Sequence, residues 1–574
     1  MPVILPGQSA HLPLSLENLS IVDRLEIRYK TPSMLHTSIK PWRRADAFQL
    51  AWQVDSLVPD LSEQEYIYLQ WMVNENNDWL PVEEESQPQG RKYVDSTRTF
   101  YTLSQRLDNR RLEAQKSRKT FLKHFYRTPA HLFELNKANF QLKINPLLNF
   151  GLAKAKGDSQ LLFQNQRGIA IRGRIDEHVY FYTEVLESQS RYAEYVVEYT
   201  QRFKAVPGAG FFKNYRSSIF NIDNGVDFLL SNAYVGTRIS RHVHIEFGHG
   251  RNFIGNGIRS LLLSDFSPEY FYLKFNTRVW KFHYQNIFAE LLRPRERTLA
   301  DRLLPKKYFA AHHLSLHLTP NFNIGLYEAV VFARENQFEL QYLNPIILYR
   351  SVEGAIGSPD NVLIGVDLKW NVFNHISMYG QFVLDEFKLG ELTSGNGWWA
   401  NKYGIQLGAK YVDVFNIPFL NMQVEYNSIR PYTYSHNDST ANYSHYNQSL
   451  AHPLGSNLRE LLVRCTYRPG PRWTFRFHSM FATSGKDPNG ENWGSNILLL
   501  NQSHVQDFGN EIGQGISTQI NLFGFEVSYR LKPGMYFEVY QQRRSEESET
   551  LGSNSSTYFG AAIRWNLGRR WLEF

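Results

Sequence analysis

The sequence predicts an all-β protein: a transmembrane antiparallel β-barrel of about 18 strands with a small N-terminal α/β domain. Three observations predict this class. Apolar and polar residues alternate in many segments from residue 139 onward, short and long connections between these segments take turns, and aromatic residues make up 15% of the chain. Successive side chains of a strand point to opposite faces, so each segment has one apolar and one polar face. A closed barrel in a lipid bilayer gives every such strand an apolar surround and a polar lumen.

The alternation is clearest in residues 473–478, where Trp473, Phe475 and Phe477 are separated by polar residues. The same rhythm recurs in residues 313–319, 362–371 and 558–567. Eighteen such segments can be counted, and every second connection between them is short while most others are long. This asymmetry is typical of outer-membrane barrels, and an even strand count places both termini on the short-turn, periplasmic side. The final residues 571–574 (WLEF) resemble the C-terminal signal that the barrel assembly machinery handles.

Composition excludes several classes of protein. Lys and Arg exceed Asp and Glu by 62 to 55, a net charge of +7, but the excess is spread along the chain. Nucleic-acid binding needs a concentrated basic face, so we exclude it, whereas contact with lipid phosphates or an acidic glycan stays open. The single cysteine, Cys465, excludes an intramolecular disulfide and a cysteine-based metal cluster. No apolar run is long enough for a membrane-spanning helix.

Residues 1–138 differ from the rest and are interpreted as a periplasmic domain with helices, followed by the barrel in residues 139–574. The spacing predicts a short strand over 25–29 and a helix over 46–57. Ser62 and Glu65 form a capping box that opens a second helix. We expect a linker at 83–90 and a partly helical stretch at 97–125; a flexible arm is the alternative. Residues 1–10 lack a basic secretory n-region, so export is inferred for a chain whose signal was removed or not included.

Three long loops contain structure of their own. Residues 192–203 have helical spacing and are expected to form a plug or lid. Residues 338–350 are too apolar for a solvated loop, so we expect them to fold inward or cap the mouth, with Arg350 pinning the loop. Residues 432–450 are rich in Tyr, Ser, Asn and His. This composition resembles loops that contact sugars, and a hydrated mobile loop is an equal alternative.

The stretch 242–265 could carry a binding site. His242, His244 and Glu246 share a strand face, which suits a metal, but alternation alone would line a polar lumen with them. We favour the lumen wall and predict no metal.

The glycines that follow, near Arg251, Asn252 and Arg259, suggest a tight loop able to hold an anion. A structural loop folded against the lumen is equally compatible. The pattern is neither a dinucleotide-binding nor a P-loop motif.

Four stretches carry a resemblance to a known family. GHGRNFIGNGIRSLLLSDF, QYLNPIILYRSVE, DNVLIGVDLKWNVF and YGQFVLDEF resemble the Wzi capsule-assembly family of outer-membrane proteins. LHTSIKPWRRADA (residues 35–47) resembles the Bacteroidota branch of that family, which includes the gliding-motility protein RemB. The resemblance implies an eighteen-stranded barrel with a helical periplasmic portion. It also implies a surface role in holding or organising polysaccharide, without known catalysis.

Enzymatic chemistry ranks last. Asp385 and Glu386 are adjacent and point to opposite faces of a strand, so they cannot form the facing carboxylate pair of a glycosidase. The nucleophile motif Gly-x-Ser-x-Gly is absent from the sequence. Asp385 is expected to pair with a lumen arginine.

The sequence therefore predicts a non-enzymatic outer-membrane barrel that binds or organises surface polysaccharide, with gliding motility as a further hypothesis. The alternative is a channel or a subunit of an outer-membrane transport or assembly complex. The predicted partners are outer-membrane lipids, surface polysaccharide, and outer-membrane or periplasmic proteins; no cofactor is predicted. The residues predicted to contact a ligand are His249, Arg251, Asn252, Arg259, Asn344, Tyr349, Arg350 and Asp385.

Overall fold

Eighteen antiparallel strands close into a barrel in the computed structural model of this chain. The structure describes residues 9–29, 35–58, 61–76, 78, 125–126, 130–137, 139–176, 178–217, 222–294, 304–334, 337–358, 360–386, 388–438, 440–488 and 490–574. The predicted linker at 83–90 and nearly all of the predicted stretch 97–125 lie outside these residues.

The barrel strands follow the predicted segments, with ends that differ by a few residues. They are β1 (Phe140–Ala155), β2 (Leu161–Ile175), β3 (Val179–Arg191), β4 (Ile222–Arg238), β5 (Val243–Gly250), β6 (Tyr270–Val279), β7 (Phe282–Leu292), β8 (Lys306–Thr319), β9 (Phe322–Phe332), β10 (Asn361–Val372), β11 (Ile376–Glu386), β12 (Lys402–Val412), β13 (Leu420–Ile429), β14 (Leu458–Tyr467), β15 (Trp473–Lys486), β16 (Ile516–Lys532), β17 (Met535–Ser548) and β18 (Gly552–Trp565). Short strands Phe133–Lys137 and Lys213–Ser217 add to β1 and β4.

Pairing between the last and first strands closes the sheet. β18 runs against β1 from Tyr558 opposite Ala155 to Trp565 opposite Leu148, so the barrel has no unpaired edge along this seam. On β18, Phe559 and Ile563 are exposed on the outer wall, whereas Ala562 and Arg564 are buried facing the lumen. The predicted class, a closed antiparallel barrel of about 18 strands with an apolar outer face, is confirmed.

The two ends of the barrel differ, as predicted from the connections. One end carries tight turns such as Pro533-Gly534, where Gly534 has φ +68°, a conformation that favours glycine. The other end carries the long loops between β3 and β4, β5 and β6, β9 and β10, β13 and β14, and β15 and β16. We call these the short-turn end and the long-loop end.

Three helices precede the barrel: α1 (Leu16–Tyr29), α2 (Arg44–Leu57) and α3 (Glu63–Glu75). The predicted capping box of α3 is confirmed, since the Glu65 backbone N–H donates to the Ser62 side chain at 3.3 Å and Glu65 Oε2 accepts from the Ser62 N–H at 3.1 Å. The predicted strand at 25–29 is wrong, because these residues form the last turns of α1. A stretch of only five residues can match the two-residue period of a strand by chance. Over the fourteen residues of α1, Val22 and Leu25 recur at helical spacing and are buried against α2.

The helices lie in the short-turn end of the lumen, held by ion pairs with the inner wall. Asp23 of α1 pairs with Lys410 Nζ at 2.6 Å, and Arg24 pairs with Asp413 at 2.6 Å. Asp46 of α2 pairs with Arg278 at 2.9 Å. No helix among the described residues has the length and apolar character needed to cross a bilayer.

The remaining helices belong to long loops. They are α4 (Glu194–Phe203), α5 (Tyr349–Ile356) and α6 (Leu389–Ser394). α4 confirms the helix predicted over 192–203, and its Tyr195 and Val196 are buried inside the long-loop end.

Candidate functional site

The lumen is filled in its centre by the β5–β6 connection, residues 251–267, which we call the lumen loop. Ile254 pairs with Ile39 of the N-terminal segment, and Leu261, Leu262 and Leu263 are fully buried. Apolar side chains of β9, β10, β11 and β13 face them, so the centre of the barrel is a dry core rather than a water-filled passage.

Arg259 ties the lumen loop to the wall. Its guanidinium donates to both Glu460 oxygens, at 2.8 and 3.2 Å, and to the Glu573 carbonyl at 2.6 Å. Glu425 accepts the backbone N–H groups of Ile258 and Arg259 at 2.6 and 2.9 Å. Arg259, Glu425 and Glu460 are all buried, so this is a charge-assisted network away from water.

The β13–β14 connection closes the long-loop end over the lumen loop; we call residues 430–457 the cap. Tyr434 and Tyr443 are fully buried, and their hydroxyls donate to the carbonyls of Leu261 and Leu262 at 2.8 and 2.6 Å. The interpretation of residues 432–450 as a hydrated mobile loop is therefore wrong. The same burial keeps these rings away from the surface where a glycan would meet them.

Residues after β18 turn back into the lumen. Phe574 packs on Tyr195 and Tyr199 of α4, with ring centroids 5.6 and 4.8 Å apart, and Glu573 pairs with Arg464 at 2.6 Å. Residues 571–574 lie beyond the sheet, which ends at Trp565, and their partial resemblance to an assembly signal stays a prediction. Their apolar side chains complete the core at the long-loop end.

A cavity of about 600 Å³ remains between the N-terminal segment, the lumen loop and residues 568–573. Its lining is rich in arginines, and several pair with carboxylates: Arg564 with Glu17 at 2.7 Å and Arg251 with Glu269 at 2.6 Å. Burial raises the pKa of Glu17, but Arg564 and Arg476 outweigh it and lower that pKa to about 2. The cavity is polar, with most of its charges matched by the wall.

Lys40 borders this cavity beneath the lumen loop and donates to the Gly255 carbonyl at 2.7 Å. Burial, with further effect from Lys410 and Lys369, lowers the pKa of Lys40 to about 7, although Asp23 and Asp265 act in the opposite direction. Its ammonium is thus held where the charged form is disfavoured.

The long-loop end presents a cluster of partly exposed rings, Trp398, Trp399, Trp493, His504 and Phe508, which we call the aromatic rim. Trp399 stacks on His504 with centroids 4.2 Å apart, and Trp398 lies 6.2 Å from Trp399.

Two loops hold the rim together. The Trp399 N–H donates to the Asp507 carbonyl at 2.9 Å, and the Gly509 and Asn510 N–H groups donate to the Asn396 and Gly397 carbonyls, each at 2.9 Å. These interlocked loops fix the rings before any ligand arrives, and partly exposed aromatic faces beside amides and a carboxylate are suited to sugars, which offer C–H faces and hydroxyls.

Four of the predicted ligand residues lie inside the barrel, each with a protein partner. Arg251 donates to the Gly208 carbonyl at 2.6 Å, and Asn252 accepts from Lys274 Nζ at 3.1 Å. Asp385 accepts the Tyr434 N–H at 2.7 Å, and its nearest cation is Lys402 at 3.8 Å rather than the predicted arginine. Together with Arg259 they hold loops in the lumen, which matches the alternative of a structural loop.

The other four, His249, Asn344, Tyr349 and Arg350, lie on the outer wall. His249 stacks against the exposed Phe271, with centroids 4.6 Å apart. The prediction that residues 338–350 fold inward is wrong: residues 338–356, which we call the outer strap, pack on the outside of β6–β10. The structure therefore does not bring the eight predicted residues into one site.

The histidines of β5 do not form a cluster. Glu246 faces the lumen and accepts from the hydroxyls of Tyr180 and Tyr272 at 2.7 and 2.8 Å, while Lys274 lies 2.7 Å away. Across the residues that the structure describes, no three His, Cys, Asp or Glu side chains are grouped so as to hold a metal ion. This environment favours the lumen-wall interpretation.

Comparison with known proteins places this geometry in a family. The family model for the capsule assembly protein Wzi matches residues 153–556, most of the chain. The chain belongs to the Wzi family. Escherichia coli Wzi, an outer-membrane protein involved in Group 1 capsule assembly and a carbohydrate-binding β-barrel, has a similar structure, with a TM-score of 0.51 and 12% identity over 98% of this chain and 100% of that one.

Two other barrels share less with this Wzi-family chain. Pseudomonas aeruginosa OprD matches 74% of the chain and 94% of its own with a TM-score of 0.40 and 11% identity. Acinetobacter baumannii OccAB2 matches 74% of this chain and 98% of its own, with a TM-score of 0.41 and 8% identity. No sequence match among curated proteins reaches significance.

The aromatic rim is absent from the predicted site residues. A signal for it exists in the sequence: the stretch Gly395–Trp399 reads GNGWW, two adjacent tryptophans in a long polar loop. What a lone sequence does not show is that residues 491–510 close against this stretch.

Proposed function

We propose that this Wzi-family chain is a non-enzymatic outer-membrane barrel that binds or organises surface polysaccharide, with its long-loop end outside the cell. In this orientation β1 starts and β18 ends on the periplasmic side, and residues 571–574 turn back from there into the lumen. The observation that carries the proposal is the pairing of a filled lumen with a preformed aromatic rim. The α1–α3 helices, the lumen loop and the cap occupy the lumen around a polar cavity of about 600 Å³, whereas the rim is partly exposed. Carbohydrate binding by Escherichia coli Wzi supports the substrate class.

The rim accounts for binding without catalysis. Trp398 and Trp399 present ring faces, and Asp507, whose carboxylate lies 2.7 Å from His504 Nε2, is exposed beside them for sugar hydroxyls. Asp385 is buried and accepts the Tyr434 N–H, and Lys402 lies between it and the adjacent Glu386, 3.8 and 3.1 Å from their carboxylates. This arrangement supports retention of a glycan at the surface rather than its cleavage.

Replacing both tryptophans tests this proposal. We expect Trp398→Ala/Trp399→Ala to weaken binding of the cell's own surface polysaccharide by about tenfold or more, since a tenfold loss corresponds to about 1.4 kcal/mol, within reach of two lost ring contacts. Binding is measured on purified protein, and capsule retention on cells carrying the same variants. Phe211→Ala, an exposed ring at the same end but outside the rim, is the matched control. If the double variant binds as well as the wild type, and only deletion of the whole protein abolishes binding, the rim is not the binding site.

The domain arrangement is part of the same proposal: residues 1–138 form an N-terminal domain seated in the periplasmic mouth, and residues 139–574 form the barrel, to which Phe133–Lys137 adds a short strand. The contacts of α1 with Lys410 and Asp413, at the end of the barrel that carries tight turns, support it. Cysteines placed at Leu551 and Leu57 test the orientation in intact cells. Only the first should react with a membrane-impermeant maleimide; the reverse pattern would invert the barrel.

The channel hypothesis has a direct test in planar bilayers. A lumen filled by buried Leu261–Leu263 and capped by Tyr434 supports a protein without steady conductance. Steady single-channel currents from the wild-type protein would favour the channel or transport-complex alternative.

The link to gliding motility and to the Bacteroidota branch rests on residues 35–47. In the structure this segment contacts the lumen loop, through the pairing of Ile39 with Ile254 and a hydrogen bond from Thr37 to Asn256 at 2.8 Å. We propose that it serves barrel closure in that branch. Colony spreading after gene deletion tests the motility role, and normal spreading would exclude it.

A further inference from the structure

The outer strap, residues 338–356, is a loop folded back onto the outer wall of the barrel. Its Tyr342, Tyr349 and Val352 are buried against wall side chains. The wall side chains beneath it are Phe288, Tyr308, Ala310, Val330, Phe332 and Val362. The strap thus covers a patch of the outward face of β7–β10.

The covered patch contains three polar residues at outward-facing positions, where the alternation of the strands predicts apolar side chains. Asn286, His312 and Glu328 lie directly opposite one another on β7, β8 and β9. A polar side chain on a lipid-facing wall needs a partner, because hydrocarbon offers none. Glu328 accepts the Arg350 N–H at 3.1 Å, and the His312 ring packs on Tyr349 with centroids 4.1 Å apart.

Several backbone groups of the strap also have hydrogen-bond partners. The Pro345 carbonyl accepts from Asn286 Nδ2 at 3.0 Å and from the Tyr284 hydroxyl at 2.5 Å. The Ile346 N–H donates to the Asn344 side chain at 3.1 Å, and the α5 N–H groups at Arg350 and Val352 also have acceptors. Such pairing is unnecessary for a loop in water, where solvent supplies partners. It is required for one immersed in hydrocarbon.

The depth of the strap can be estimated from strand geometry. Asn286 is four residues from Phe282, where β7 starts at the short-turn end, and Glu328 is six from Phe322 of β9. At about 3.3 Å per residue and a tilt of about 40°, they lie about 10 and about 15 Å above that end, within an apolar band about 25 Å tall. The strap therefore reaches the middle of the band.

The surface that the strap turns away from the wall carries three strongly exposed aliphatic side chains, together with the polar Gln341, Asn344 and Arg350. Leu340, Ile346 and Leu348 are 73%, 81% and 65% exposed. In water this would be an unusual concentration of exposed aliphatic side chains.

We propose that the outer strap is immersed in the membrane and that Leu340, Ile346 and Leu348 bind lipid acyl chains. The inference rests on the proposed outer-membrane location and orientation. Acyl chains are favoured over a water-soluble partner because the strap packs on the lipid-facing wall of the barrel. Its exposed Arg350 is paired with Glu353, and Leu340, Ile346 and Leu348 present aliphatic side chains outward.

Depth-dependent quenching tests the proposal. In a Cys465→Ser background, single cysteines at Ile346, Leu326 and Leu551 are each labelled with a fluorophore, and the proteins are reconstituted in phosphatidylcholine vesicles that contain spin-labelled acyl chains. Leu326 is an exposed wall residue of β9, and Leu551 is an exposed residue of the β17–β18 turn. All three side chains are already exposed, so the substitutions should not disturb folding; resistance of the folded barrel to sodium dodecyl sulfate at room temperature checks this.

We expect the Ile346 and Leu326 probes to lose fluorescence to spin labels near the middle of the acyl chain, and the Leu551 probe to lose fluorescence to aqueous iodide instead. If Leu326 is lipid-quenched but Ile346 is quenched by iodide, the strap inference is overturned while the barrel stays in the membrane. If Leu326 also responds only to iodide, the proposed location fails and the inference with it. Efficient disulfide crosslinking between two Ile346→Cys copies, without lipid quenching, would assign the surface to a second copy and overturn the lipid proposal.

Discussion

Replacing Arg259 by methionine should weaken the attachment of the lumen loop to the barrel wall. The loss of stability should be greater than for removal of a solvent-exposed charge. Methionine keeps the apolar stem but leaves Glu460 without the guanidinium that lies 2.8 Å from its carboxylate. Breaking a buried ion pair from one side costs about 3–5 kcal/mol, because the remaining charge is neither solvated nor paired. His452 and Asn427 still donate to Glu460 at 2.8 and 3.0 Å, which places the expected loss at the lower end of that range.

A loss of about 3 kcal/mol raises the fraction of molecules with a detached lumen loop by about two orders of magnitude. Thermal unfolding in detergent measures the loss of stability, and planar-bilayer recording measures transient openings that the wild type should lack. Lys388→Met, which removes an exposed ion pair with Glu391, is the matched control and should change neither readout.

The double variant Arg259→Met/Glu460→Met separates charge from packing. Since apolar replacement of both partners removes the stranded carboxylate, it should recover part of the stability lost in the single variant. An Arg259→Met protein with wild-type melting temperature and silent recordings would refute the reasoning, as would a double variant less stable than the sum of its single changes.

Three further predictions follow from contacts of the N-terminal segment and the cap. Asp413→Ala should loosen α1, because the buried Arg24 loses its partner on the barrel wall and keeps only Glu65 of α3 at 3.2 Å. Proteolysis within residues 9–58 should become faster, and unchanged proteolysis would contradict the prediction. The pKa of Lys40 is 10.5 when its segment is undocked and about 7 in the structure, so docking of the segment releases a proton. The equilibrium constant for docking should therefore rise about 100-fold from about pH 6 to about pH 9. Limited proteolysis should show this pH dependence in the wild type, and Lys40→Met should abolish it. Tyr443→Phe should lower stability by about 1–3 kcal/mol because the buried Leu262 carbonyl loses its donor, and an unshifted melting temperature would argue against it.

The loops that surround the candidate site could largely be predicted from the sequence, but the residues that form the site could not. The lumen loop and its residues Arg251, Asn252 and Arg259 were identified, since glycines and polar residues between strands mark a tight loop. Their acceptors, such as Glu460 and the Glu573 carbonyl, are separated from Arg259 by hundreds of residues and carry no local mark. The aromatic rim exists only where two distant loops interlock.

The strands, the turns between them and the capped helix could all be predicted from the sequence, because each depends on periodicity or capping within about twenty residues. The destination of the long loops depends on the folded barrel. The outer strap and the cap both bury tyrosines, yet one packs outside the barrel and the other inside. Three outward polar side chains, Asn286, His312 and Glu328, hold the first on the outer wall. The second is drawn inward by the backbone carbonyls of Leu261 and Leu262, which accept its tyrosine hydroxyls. Such long-range complementarity is a property of the closed barrel, and no single segment encodes it.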